Sequence, residues 1–205
     1  MAQESASLSG QSRWRLHQET VDRFWERVEA FLRSFDARQL KLYQDGLAAA
    51  GDVGRQVVQA AARRGSRNYQ LLLKLVDSGA ELRKTEDIAL LLQERESLLA
   101  LLQQGPAPEA QRDSRQYRRQ RERLLEERDR FIADTINATL TEEDLGALFI
   151  GAYHDVASRL EEDISVEPIK DPEKVRAYFV QLFLEEDDEG LQELARYLAA
   201  PVTPP

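Results

Sequence analysis

The chain contains no cysteine. That absence rules out disulfides, thiolate metal sites and cysteine nucleophiles, and it suits a reducing cytosol. Histidine is almost as scarce, with only His17 and His154, so any imidazole chemistry rests on one of two positions. No segment approaches the roughly 18 uncharged apolar residues of a membrane span. The opening MAQESASLSGQSR has no apolar core of the signal-peptide kind. A cytoplasmic protein that neither spans nor binds a membrane is therefore expected. Positive charge is also in deficit: 28 Lys and Arg stand against 37 Asp and Glu, for a formal net charge of -9. A surface of that sign repels phosphate backbones and argues against nucleic acid as a partner. There is no nucleophile elbow, no Walker loop, no HExxH and no zinc-type cysteine set.

What is present is ample core material. Apolar residues make up 42% of the 205 residues and charged residues 32%, a balance that fits one folded domain. The stretch that organises the chain is residues 145–155, LGALFIGAYHD. A short apolar run bracketed by glycines reads as a central strand buried on both faces. Its polar tip, Tyr153-His154-Asp155, would emerge at the strand's C-terminal end, where open parallel sheets hold their ligands.

Residues 1–13 are small and polar and read as a disordered tail. From 14 to 35, Val21, Phe24, Trp25, Val28, Phe31, Leu32 and Phe35 share one helical stripe that suits core packing. His17, just ahead of it, reads as a solvated or capping residue. QLKLYQD (39–45) suits a strand, and the glycines that follow mark a loop without the spacing of a phosphate cradle. Helices are expected over 53–64 and from Ser66, as N-cap, to Gly79. A short edge strand is expected at 80–84. Thr85 would cap a leucine-rich helix over 86–103, either well buried or paired with another helix. QGPAPEAQR (104–112) breaks the chain. A long, charged helix follows over 113–140, whose arginines interleave with glutamates as on a solvated, ion-paired face. After the 145–155 strand come a short helix at 157–162 and an edge strand at 164–169, limited by Pro168. Asp171-Pro172 opens a helix over 173–184 that buries Val175, Tyr178, Phe179, Leu182 and Phe183. A last helix runs through Tyr197, and residues 199–205 read as a second disordered tail.

Strands alternating with helices argue for an α/β fold, a small and mostly parallel sheet flanked by several helices within one domain over 14–198. An all-α bundle is the alternative. If the three strands are parallel, their C-terminal ends gather Asp45, then Glu86 and Asp87, then His154 and Asp155. Carboxylates and a neutral imidazole are ligands for a divalent metal, which makes Asp45, Glu86, Asp87 and His154 a candidate metal set. A carboxylate–histidine pair also moves protons near neutral pH, which makes His154, Asp155 and Glu86 candidate catalytic residues. Ordinary structural roles remain open to all of them: Asp45 in a turn, Glu86 and Asp87 at a helix N-terminus, His154 in a hydrogen-bonded loop.

Arg128-Asp129-Arg130-Phe131-Ile132-Ala133, the strand after it and the turn Gly151-Ala152-Tyr153-His154 resemble the closing motif of the TraB/Tiki/ChaN and erythromycin-esterase-like superfamily. There a helix bearing an Arg-Asp or Arg-Asn pair precedes a strand ending in Gly-Ala-x-His. YQDGL, GSRNYQLLLKLVDSGAELRKTED and RDRFIADTINATL also resemble a set of uncharacterised prokaryotic proteins. The resemblance implies an α/β fold with a polar site at the strand ends and, in some members, metal-dependent hydrolysis. It sets His154 on the closing histidine and Asp45 and Glu86 on roughly equivalent strand ends. Such proteins usually open with a strand ending in Gly-Glu-x-His, and no such segment precedes Val21. Two functions follow as expectations. One is a non-catalytic interaction or regulatory domain on a hydrolase-like scaffold, pairing with itself or another protein through helices 86–103 and 113–140. The other is a metal-dependent hydrolase.

Overall fold

The structure, a computed structural model, describes residues 2–103, 110–184 and 187–202. Its centre is β1 (Leu40–Gln44), every residue of which is buried. Strand side chains alternate between faces, and β1 divides accordingly. Leu40 and Leu42 join one apolar cluster, and Tyr43 joins another on the opposite face. β2 (Glu81–Arg83) and β3 (Leu145–Phe149) both pair parallel with β1, giving the order β2-β1-β3. The register sets Leu42 beside Leu82 on one side and beside Ala147 on the other.

Among the described residues, seven α-helices surround this three-stranded parallel sheet. α1 (Ala2–Leu32), α2 (Gly51–Arg63) and α3 (Arg67–Asp77) supply Val28, Leu32, Val58, Leu71, Leu72 and Leu75 to the first cluster. α4 (Ile88–Gln103) leads to α5 (Ala110–Thr139), which packs Ile132, Ala133 and Ile136 over Tyr43 on the second face. The connection leaving β1 thus lies on one face and the connection leaving β2 on the other. In open α/β sheets the strands' C-terminal ends at such a point are where ligands are held. α6 (Pro172–Leu184) and α7 (Asp188–Ala199) build a third cluster around Tyr178, Leu191, Ala195 and Leu198, with Leu16 of α1 against it. Each fully buried leucine in these clusters stabilises the fold by about 2–5 kcal/mol relative to alanine.

The α/β expectation holds, and several details differ. β1, not β3, is the central strand: Leu145 and Gly146 at the start of β3 are exposed, since no strand lies beyond it among the described residues. The edge strand expected at 164–169 does not form; Pro168 lacks the N–H that a ladder requires, and that segment runs as loop. Of the tail expected over 1–13, residues 2–13 lie in α1, whose Ala, Gln, Glu and Leu residues are good helix formers with no proline among them, and residue 1 lies outside the described residues. The break expected over 104–112 falls partly outside the described residues, and from Ala110 the chain is already helical. A single 3-10 turn, Ala157–Arg159, stands where a short helix was expected. On α6 only Tyr178 is buried, whereas Phe179 and Phe183 are exposed.

Candidate functional site

The rim at the C-terminal ends of the three strands is stitched together by the backbone. Asp45 N–H donates to Phe149 O at 2.9 Å, carrying the β1–β3 ladder one step past the strand. Gly46 then turns the chain with φ +78, a conformation that L side chains avoid. Buried Leu47 accepts from Thr85 N–H at 2.9 Å and from Glu86 N–H at 3.1 Å, which ties the ends of β1 and β2. The Thr85 hydroxyl donates to Gln44 O from a fully buried position. Thr85 therefore serves the rim and does not cap α4. Asp87 takes that role instead, its Oδ1 accepting from Ala89 N–H at 2.8 Å.

Onto this frame α5 brings two adjacent residues, Arg128 and Asp129. Arg128 Nε and Nη2 both lie 2.8 Å from Glu86 Oε2, and Nη2 also lies 2.8 Å from Asp45 Oδ1. Asp129 Oδ1 pairs with His154 Nδ1, and Asp129 Oδ2 accepts from Asp155 N–H at 2.8 Å. His154 Nε2 stands 3.4 Å from Asp45 Oδ2. The result is a continuous chain of charged contacts running Glu86, Arg128, Asp45, His154, Asp129. It is largely shielded from water: Asp45 is the most open side chain at 22%, and Glu86 is fully enclosed.

Burial and charge compete at each titrating member. Burial alone lowers the His154 value, but hydrogen bonds to Asp45 and Asp129 and their negative charge outweigh it, leaving the imidazolium favoured above the ordinary histidine range. For Asp45, burial raises the value, and the His154 hydrogen bond together with the Arg128 charge brings it below the usual carboxylate range. Glu86 goes the other way: burial wins over Arg128, and its carboxyl is pushed up. Of the titrating members, Glu86 is the most deeply enclosed, and it is the one that burial pushes toward its neutral form.

No family model, no curated protein and no solved structure matches this chain. The site is therefore read from its own chemistry.

Of the residues singled out in the sequence, the structure gathers Asp45, Glu86 and His154 and leaves Asp87 and Asp155 out. Asp87 caps α4, and the Asp155 carboxylate accepts from Ser158 Oγ at 2.7 Å while its backbone N–H serves Asp129. Both sit one residue past the tips that converge, and their side chains serve the turns that follow. The expected metal set does not fit. Among the described residues no three His, Asp or Glu side chains stand as a metal-holding group. The reason is physical. The Arg128 guanidinium occupies the place between Asp45 and Glu86 that a cation would take.

Reasoning from strand ends missed Arg128 and Asp129. The signal was there: 128 and 129 fall in phase with the buried positions Ile132, Ala133 and Ile136, so both charges sit on the packing face of α5. His17 also differs from expectation. It is partly buried, with Nδ1 at 3.1 Å from Tyr178 OH, and burial lowers its value.

In chemical terms, Asp129 fixes the ring orientation of His154 and Asp45 sets a charge beside Nε2. A histidine held between two carboxylates binds its proton more tightly than a free imidazole does.

Proposed function

We propose that this chain is a non-catalytic interaction or regulatory domain on a hydrolase-like α/β scaffold, associating through its helices. One observation carries the reading: Asp45, Glu86, Arg128, Asp129 and His154 are paired with one another in a continuous chain of contacts. A catalytic centre leaves at least one reactive group directed at its substrate. Here the imidazole has a carboxylate on each nitrogen, and the guanidinium bridges two strand ends. Such a network holds β1, β2, β3 and α5 together at the rim. Leucines left exposed on α4 supply the surface for association.

The second reading, a metal-dependent hydrolase at the strand C-terminal ends, is favoured by the convergence of Asp45, Glu86 and His154 from three separate βα units. The two readings part on one experiment. Purified full-length protein is assayed for bound metal, for melting temperature before and after chelation, and for hydrolysis of ester and amide substrates with added Mg, Mn or Zn. The expected result is no stoichiometric metal, unchanged melting and no metal-stimulated turnover. Stoichiometric metal, a lower melting temperature after chelation and hydrolysis lost in His154→Ala would overturn the first reading.

A further inference from the structure

We infer that α4 pairs antiparallel with α4 of a second copy of this chain, in a register that sets Leu92 against Leu99 and Arg95 against Glu96. The inference rests on the interaction reading above and narrows it to one partner.

α4 and α5 form an antiparallel hairpin. Glu86, just ahead of α4, meets Arg128, while Gln93 lies across a groove of about 390 Å³ from Arg119, Gln120 and Arg123. α5 therefore covers one side of α4. The other side carries Ile88, Leu92 and Leu99, which are 55%, 50% and 44% exposed. At 3.6 residues per turn these positions line up as one stripe, and Arg95 is the remaining step in it. An apolar stripe of that length with a single charge near its middle is unfinished on its own, because the apolar part needs covering and the charge needs a partner.

A second copy supplies both. When two identical helices meet about a two-fold axis, the same surface serves each protomer, and residues equidistant from the axis face one another. An axis between Arg95 and Glu96 places Leu92 opposite Leu99 of the other copy. The same axis places each arginine opposite a glutamate, at both of the two equivalent positions. Other arrangements lose this match: parallel pairing in register puts Arg95 beside Arg95, and an antiparallel pair with Leu92 facing Leu92 puts Arg95 over Ala89. The paired hairpins then form a four-helix bundle, in which each α4 is flanked by its own α5 and by its twin.

The absence of cysteine makes the register directly testable by disulfide trapping in the full chain. In the double variant Leu92→Cys/Leu99→Cys the two thiols stand about 10.5 Å apart along one helix, beyond the roughly 7 Å Cα limit for a disulfide. Any bridge must therefore join two chains. The expected result is a wild-type dimer by light scattering and a covalent dimer on oxidation of the double variant. Arg95→Glu should weaken self-association about tenfold, and adding Glu96→Arg should restore it, since the swap recreates both pairs. A wild-type dimer that neither cross-links nor responds to the charge reversal overturns this register and leaves the interaction reading standing. A wild-type monomer at all concentrations overturns self-pairing altogether. Metal-dependent hydrolysis in the assay above would instead remove the reading beneath it.

Discussion

Arg128 directs both Nε and Nη2 at Glu86 Oε2, each at 2.8 Å, and Glu86 has no exposed surface. Removing one partner of a buried ion pair leaves the other charge without compensation, which costs more than the intact pair contributes. Arg128→Met should therefore destabilise the protein by about 3–5 kcal/mol near neutral pH, read by urea unfolding. Glu86 is already pushed up by burial, so its protonation relieves the variant, and the penalty should shrink as pH falls. Arg128→Met combined with Glu86→Gln should cost less than the two single changes together. Strict additivity would mean the pair is not coupled.

The two histidines should respond to pH in opposite directions. The folded value of His154 lies above the 6.5 of an ordinary histidine, so the folded state binds that proton more tightly. Its stabilisation is complete below the unfolded value and is lost as pH rises through the folded one. The folded value of His17 lies below 6.5 because of burial, so its contribution is present above the unfolded value and is lost as pH falls through the folded one. Melting curves from about pH 4.5 to about pH 8.5, roughly two units either side of a free imidazole, should separate them. His154→Asn should flatten the loss on the alkaline side, and His17→Asn the loss on the acid side. Curves parallel to wild type would contradict both assignments.

What could be read from the sequence depended on whether a residue's role is set by its neighbours in the chain or by the tertiary fold. Asp45, Glu86 and His154 stand out because each closely follows a segment that reads as a strand, and the direction of a strand end is a local property. Asp87 and Asp155 were over-read, since one residue past the tip is enough to turn a side chain into a cap or a loop. Arg128 lies in a run of arginines and glutamates that reads as solvated, and only the Arg-Asp pair of the resemblance and the phase of Ile132 and Ile136 set it apart. Centrality could not be read at all. Ala147-Leu148-Phe149-Ile150 is the more apolar run, yet LKLYQ is the middle strand. Its Lys41 tolerates burial by pairing with Asp144 and donating to Thr139 O, partners nearly a hundred residues away.

Gly54 should not accept alanine, although alanine is the better helix former. A Cβ built there meets Ala49 O at 2.5 Å and Ala49 C at 3.1 Å, both backbone atoms, and Leu82 Cδ2 at 3.2 Å. The first turn of α2 would have to move away from the loop that follows the site. Gly54→Ala should cost about 1–3 kcal/mol. A gain in melting temperature would show that the loop yields without cost.

Thr85→Val keeps the shape of the side chain and deletes the hydroxyl that donates to Gln44 O. The carbonyl at the end of β1 then loses a buried donor. The expected loss is about 1–3 kcal/mol, with a local increase in amide exchange at Glu86, whose N–H shares the Leu47 carbonyl with Thr85. Unchanged exchange at Glu86 would mean the rim is held by the charged contacts alone.

The rim network draws its members from positions 45, 86, 128, 129 and 154, so it cannot be complete until every βα unit has docked. Contacts that distant in sequence must wait for the long loops between them to close, so they are expected to form late in folding. Changes within the network should consequently hasten unfolding far more than they slow folding. The knot of charge then works as a latch on a finished molecule, governing how long each copy survives rather than how quickly it is made.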